Sequence, residues 1–421
     1  MRLCLSLRPL AGLLAALALA GCGGGGSSSS QASSGGTPTP PITVGALANI
    51  TSPTGASAIT HMVDGLVIGD HAVLRSDSAD ASQPYRPPTR FTVIDAQGNA
   101  SASVDYGYTL APGYNGAWAM QPLPGGAGFV LIQLAGGSRM FQFDAQGKMT
   151  GSSSGINLYE PLSASDAPVI EVSATALDGN GIWVGTTFRY TQANGSFIWR
   201  ILLTKFDFNG KALTPTAALT TSTKLATPRL AASAGAVSVY LADGSQPTLA
   251  YWAQGGGGFL QKSNNAGNGS ATVQPIALNS SGKLGLLWNY NSILNGVALN
   301  ASGDPLLTNS TASDWSAEVL SSKWTGVRRG LVPGITNANG RLMITDLVDD
   351  PAYAGDSILV VDYVLNDGPL SAVTPQMALV RRPLGHTVDK QSTLRQLVFS
   401  DHTLLLVGDS DHLEGAVVTR H

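Results

Sequence analysis

Short apolar or alternating runs, each cut off by glycine, fill the chain from Ile42 to the C-terminus, and the cuts recur. Gly98 (FTVIDAQG), Gly147 (MFQFDAQG), Gly210 (LTKFDFNG), the run Gly255 to Gly258, Gly303 (GVALNASG) and Gly368 (VVDYVLNDG) follow one another at a mean of about 54 residues. Each follows an extended run and precedes another, the pattern of strand, tight turn and strand. A second row of turns precedes its own apolar runs at Gly65, Gly128, Gly181, Gly235, Gly282, Gly340 and the Asp401-His402 pair. Seven turns of one kind and six of the other predict seven four-stranded units with one hairpin interrupted.

The interruption falls at the chain ends. The last period runs out along GAVVTRH (Gly415 to His421), which leaves no outer strand, while ITVGALANI (Ile42 to Ile50) has nothing local to pair with. Joining the two removes a free sheet edge that would otherwise template aggregation. The chain is therefore expected to be all-β, a seven-bladed β-propeller closed by pairing of this N-terminal strand with the C-terminal blade. A pair of stacked β-sandwiches is the competing architecture. Charged residues make up only 12% of the chain, so solubility rests on hydroxyls, amides and turns more than on charged helix faces.

The first residues follow a different rule. Arg2 and Arg8 precede an apolar stretch from Leu10 to Ala20 that is too short to span a bilayer as a mature helix, and Leu19-Ala20-Gly21-Cys22 ends it with small residues before a cysteine. This segment resembles the lipobox of bacterial lipoproteins. The resemblance implies a signal peptide over 1–21, diacylglyceryl attachment (and palmitate or a similar N-acyl chain) at Cys22, and cleavage just before it. Gly23 stands where the resemblance would place Asp in a protein kept at the inner membrane, which favours the outer membrane. An ordinary secretory signal is the alternative.

Residues 22–41 then form a tether: the lipidated cysteine, a Gly/Ser run and a stiffer Pro end, a composition that cannot bury a core. Its typical reach is roughly 25 Å. The folded domain spans 42–421. Cys4 lies in the segment to be removed and Cys22 would carry lipid, so the domain has no thiol for a disulfide or a metal. Losing Arg2 and Arg8 takes the formal charge from −3 to −5, which argues against nucleic acid as a partner.

In an antiparallel sheet both rows of glycine turns lie at one end of the strands, and the remaining, longer connections lie at the other. Long loops on a rigid scaffold are where binding residues concentrate. They carry Tyr85 and Arg86, then Tyr106, Tyr108 and Tyr114, then Tyr159. Further along come Trp315, Trp324, Arg328 and Arg329, and then Tyr353, Arg381 and Arg382. Tyr, Trp and Arg anchor interfaces, so these residues form the candidate binding rim; the alternative role for any one of them is to plug gaps between blades.

Catalytic signatures are weak. Gly151-Ser152-Ser153-Ser154-Gly155 matches the G-x-S-x-G pattern, but no helix follows it to build a nucleophile elbow. His402 and His412 fall at opposite ends of an expected strand and cannot share an ion, so Asp401-His402 and Asp409 to His412 read as turn residues. Asp349, Asp350 and Asp356 lack the spacing of a calcium loop. No phosphate or dinucleotide loop is present, so no catalytic residue, metal or cofactor is assigned. The D-x-x-G turns also lack the serine and tryptophan of the repeated boxes in sialidase-like propellers. Two functions remain: a membrane-anchored envelope module that binds a protein or a glycan through its long-loop rim, or a propeller enzyme (lyase, lactonase or glycoside hydrolase) acting on carbohydrate. The eight-bladed propeller lipoprotein of the outer-membrane barrel assembly machine is a third comparison, disfavoured by the count of seven.

Overall fold

The computed structural model describes residues 42–51, 53, 62–77, 89–107, 118–133, 139–158, 169–179, 181–214, 217–221, 229–241, 248–252, 260–263, 273–277, 284–290, 293–299, 305–306, 315–317, 334–338, 341–348, 350, 353–364, 376–384, 393–409 and 412–420. Among them lie seven antiparallel sheets, each a meander of consecutive strands, and no α-helix. In chain order the sheets span residues 62–107, 118–157, 169–221, 229–263, 273–317, 334–381 and 393–420.

The seventh sheet has only three strands of its own, Thr393–Val398, His402–Gly408 and Leu413–Arg420. Its outer strand comes from the far end of the chain: Ile42 pairs with Arg420, Val44 with Val418, and Ala48 and Asn49 with Gly415 and Glu414. Backbone bonds from Gly45 N to Val417 O and from Ile50 N to Leu413 O, 2.9 and 2.8 Å, carry the ladder across the gap. The pairing expected between Ile42–Ile50 and Gly415–His421 is thus present.

Alternation along the strands gives the seventh, first, second and third sheets two apolar faces each. In the seventh, Leu405 and Val407 pack with Met343, Ile358 and Val380 of the sixth, and Leu404 and Leu406 pack with Met62, Leu74 and Ile94 of the first. The first packs on the second through Phe91, Phe129, Phe141 and Phe143; the second on the third through Ile132, Met140, Val184 and Phe206; the third on the fourth through Trp183, Leu203, Val237 and Val239. The first strands of the fourth and fifth sheets, Arg229–Ser233 and Val273–Ala277, also adjoin.

Polar bonds at the short-turn end fasten these neighbours. The D-x-x-G turns are built alike: Asp95, Asp144 and Asp207 each accept two backbone N–H groups on Oδ1 at 2.7–3.0 Å, and the glycines Gly98, Gly147 and Gly210 close the turns with positive φ. Adjacent sheets grip two of these turns through histidine. His402 Nε2 donates to Ala96 O at 2.8 Å and His71 Nε2 to Ala145 O at 2.9 Å, while each Nδ1 faces the carboxylate of the preceding aspartate, Asp401 or Asp70. Gln142 donates to Phe208 O at the third such turn, and Asp178 accepts from Trp183, Lys205 and the Gly235 backbone N–H at 2.9–3.1 Å.

Three glycines depart from the expected turn positions. Gly65 lies inside Met62–Ile68 and the chain turns at Gly69-Asp70; a Cβ at Gly65 would come within 2.9 Å of a Leu74 methyl and 3.3 Å of a Leu397 methyl, so Gly65 marks a close contact with these side chains and not a turn. Gly128 and Gly181 each begin a strand just past the turn. Gly98, Gly147, Gly210, Gly235 and Asp401-His402 do mark turns. The glycines 255–258, 282, 303, 340 and 368 lie outside the described residues.

Two outcomes are expected. Removing residues 1–41 leaves the thermal midpoint unchanged, whereas removing 1–50 bares the seventh sheet's edge and exposes the cores around Ile42, Leu47 and Ile50, a loss of about 5 kcal/mol at roughly 1.5–3 kcal/mol per buried side chain, read by denaturant unfolding. Burial raises the Asp95 carboxyl, but hydrogen bonds from the Asn99 side chain and the Asn99, Gln97 and Gly98 backbone outweigh it and hold the group below its ordinary 3.8. A depressed folded value means stability present above the ordinary value and lost as pH falls through the folded one. Asp95→Asn is therefore expected to lose less stability than the parent on acidification from about pH 5 to about pH 3, compared by urea midpoints.

Candidate functional site

The described part of the long-loop end is best defined where the sixth and seventh sheets meet. The strand Gln376–Arg381 ends there, and successive residues diverge to opposite sides. Arg381 points outward with its side chain half exposed, and Nε and Nη2 both reach Asp350 Oδ2 at 2.9 Å. Its guanidinium lies 5.3 Å above the Tyr353 ring, and Leu384, 67% exposed, lies just beyond in the chain. Tyr353 is fixed in turn by donating its hydroxyl to Arg382 O at 2.5 Å.

Arg382 points the other way and is fully buried. Nε reaches Glu414 at 2.5 Å and Nη2 reaches Asp409 at 2.7 Å, both carboxylates being buried in the seventh sheet, and its backbone N–H donates to Asp356 O. Burial works against the guanidinium's charge, yet the hydrogen bonds to Glu414 and Asp409 prevail and hold it above its ordinary value. Arg382 therefore ties two sheets together and presents nothing to a partner; the sequence alone could not distinguish it from Arg381. A further pair, Arg341 with Asp362, takes in Arg420 from the seventh sheet at the opposite end of the strands.

The other expected rim residues divide as follows. Trp315 belongs to a short outer strand of the fifth sheet, Trp315–Ala317, opposite Gly296, and not to a loop. Tyr106 bridges the first and second sheets: its hydroxyl donates to Gly147 O at 2.9 Å and accepts from Met149 N at 2.6 Å, between Phe91 and Phe143, and burial pushes its phenol up. Cys22, Tyr85, Arg86, Tyr108, Tyr114, Tyr159, Trp324, Arg328 and Arg329 lie outside the described residues.

The serine pattern at 151–155 forms a small exposed turn in which Ser152 and Ser154 bond each other at 2.7 Å. Among the described residues no three His, Cys, Asp or Glu side chains are grouped to hold a metal. The carboxylates Asp350, Asp409 and Glu414 are each engaged by an arginine, Asp350 by Arg381 and the other two by Arg382. The aromatic and basic residues of the third sheet's central hairpin were not singled out from the sequence. Their signal is the run FRYTQANGSFIWR, residues 188–200, dense in aromatics and arginine and free of acid.

Replacing Arg382 by Met strands two buried carboxylates. The expected cost is about 3–5 kcal/mol, in part recovered in Arg382→Met/Glu414→Gln, whereas Arg381→Ala costs under about 1 kcal/mol; chemical denaturation separates the two.

No protein-family model and no curated protein matches the chain. Among solved structures it is similar to the polysaccharide lyase Uly1, with a TM-score of 0.46 and 9% identity over 90% of this chain and 97% of that one. It is also similar to the WD40 domain of SCAP from fission yeast (TM-score 0.37, 9% identity, 91% of each chain) and to an exo-beta-1,3-galactanase from Phanerochaete chrysosporium (0.36, 12% identity, 90% and 96%).

Proposed function

We propose that the chain is a lipid-anchored envelope lipoprotein whose domain is a seven-bladed β-propeller, and that it acts as a binding or scaffolding module through the long-loop end of its sheets. What supports the architecture is the side-by-side packing of the sixth sheet on the seventh, the seventh on the first, the first on the second, the second on the third and the third on the fourth, with the seventh borrowing its outer strand from the N-terminus. In this reading the fifth sheet adjoins the sixth and so completes the ring. Lipid attachment at Cys22 and outer-membrane residence rest on the lipobox-like segment; several acyl chains would hold the module at the surface, since one chain alone is marginal.

Binding is favoured over catalysis by the state of the ionisable groups. Asp409 and Glu414 are committed to Arg382 and Asp350 to Arg381, while the Tyr353 ring, the half-exposed Arg381 over it and the exposed Leu384 offer an aromatic and apolar surface, edged by an ion pair, to an envelope protein or glycan.

The test has two parts. Cys22→Ser should abolish palmitate labelling and release the protein from membranes; continued labelling would remove the anchor from the reading. Pull-downs from envelope extracts with the parent and with Arg381→Ala, Trp324→Ala and Arg328→Ala/Arg329→Ala should show partners lost from the variants. Recovery of every partner by all of them would overturn the long-loop end as the contact face.

A further inference from the structure

The cleft between the sixth and seventh sheets has ionic groups at both ends, and the two ends differ in balance. At the long-loop end one guanidinium, Arg382, meets two carboxylates, Asp409 and Glu414. At the short-turn end two guanidiniums, Arg341 and Arg420, meet one carboxylate, Asp362.

The strands dictate this second cluster. Arg341 and Met343 share one face of Arg341–Val348, Asp362 and Val360 one face of Ser357–Val364, and Arg420 and Val418 one face of Leu413–Arg420. Met343, Val360 and Val418 all belong to the core between the two sheets, so the three ionised side chains enter the same cleft beside that core. Asp362 is fully buried. Arg341 reaches its two oxygens from Nε and Nη2 at 3.2 and 2.9 Å. Arg420 Nη2 bonds Oδ2, the oxygen that Arg341 Nη2 already holds.

Two positive charges thus converge on one negative charge. Among the described residues neither guanidinium has another hydrogen bond or ion pair, and Arg420 Nε is buried with no partner. Asp367, in the turn that follows the third strand of the sixth sheet, and His421 lie outside the described residues. The side chains of Arg341 and Arg420 are 9% and 19% exposed, which puts the surplus charge at the mouth of the cleft, mostly out of water yet reachable from it. Like charges this close repel, and loss of solvent strengthens the repulsion. An anion bridging the two guanidiniums removes it.

We propose that Arg341 and Arg420 bind a phosphate group at this end of the cleft. A carboxylate matches one guanidinium fork, and Asp362 already fills that role for Arg341; a tetrahedral oxyanion has oxygens enough to take donors from two forks brought in by different strands. The site lies beside Ile42, which pairs with Arg420 where the N-terminal strand enters the fold. A lipid headgroup and free phosphate both present this chemistry. The inference goes beyond the binding reading above: it uses no residue of the long-loop end and stands whether or not Cys22 carries lipid.

The test titrates the full-length protein in detergent, by calorimetry, with inorganic phosphate and separately with a micellar short-chain phosphatidic acid, each against chloride at equal ionic strength. Binding of inorganic phosphate makes the free anion sufficient, and binding of the lipid alone makes the headgroup its source. Arg420→Gln keeps Asp362 paired with Arg341 and removes the surplus charge, so it should fold and bind about 10-fold more weakly, the loss of one charge-assisted contact. Asp362→Asn doubles the surplus and should bind more tightly than the parent, which decides the matter if Arg420→Gln fails to fold. The general salting effect of phosphate is common to all three proteins and does not separate them. The proposal fails if the parent binds neither ligand, if a folded Arg420→Gln variant keeps the parental affinity, or if a folded Asp362→Asn variant binds more weakly than the parent.

Discussion

One strand pairing governs the rest of the molecule. Sequence-adjacent strands assemble each sheet locally, but the seventh sheet is incomplete until Ile42–Val44 reaches across the whole chain to Leu413–Arg420. That closure costs loop entropy that no local contact repays, and what offsets it is burial on both sides of the sheet. Ile42 and Leu47 join the core shared with the sixth sheet, and Ile50 joins the core shared with the first. The same segment thus seals a free edge and links the two ends of the chain.

Between sheets the labour is divided by depth. Interiors are held by apolar alternation, an attraction that has no direction of its own. The short-turn end adds bonds that are directional: two histidines to the carbonyls of DAQG turns, Gln142 to a third turn, and Asp178 to the start of the fourth sheet's second strand. Repetition of the histidine contact at His71 and His402 shows a recurrent solution to fixing one sheet's register against the next. At the long-loop end the fastening is ionic, with Arg382 buried between Asp409 and Glu414.

Adjacent arginines at the end of one strand take opposite fates, Arg382 sealed between sheets and Arg381 half exposed over Tyr353.

The sequence by itself determined the strand-turn-strand repeat, the D-x-x-G turns at 95–98, 144–147 and 207–210, and the need of the last unit for an N-terminal partner, because period, turn chemistry and an unpaired apolar run are local properties of the chain. It also marked Tyr353 and Arg381 as candidates by residue type. Only the tertiary structure decided that Gly65 serves packing and not a turn, that Trp315 lies in an outer strand, and that Tyr106 and Arg382 are inter-sheet bonds. Those outcomes depend on which face of a sheet a residue occupies and what the neighbouring sheet brings to it. A shift of one position reverses that face, and composition carries no trace of it.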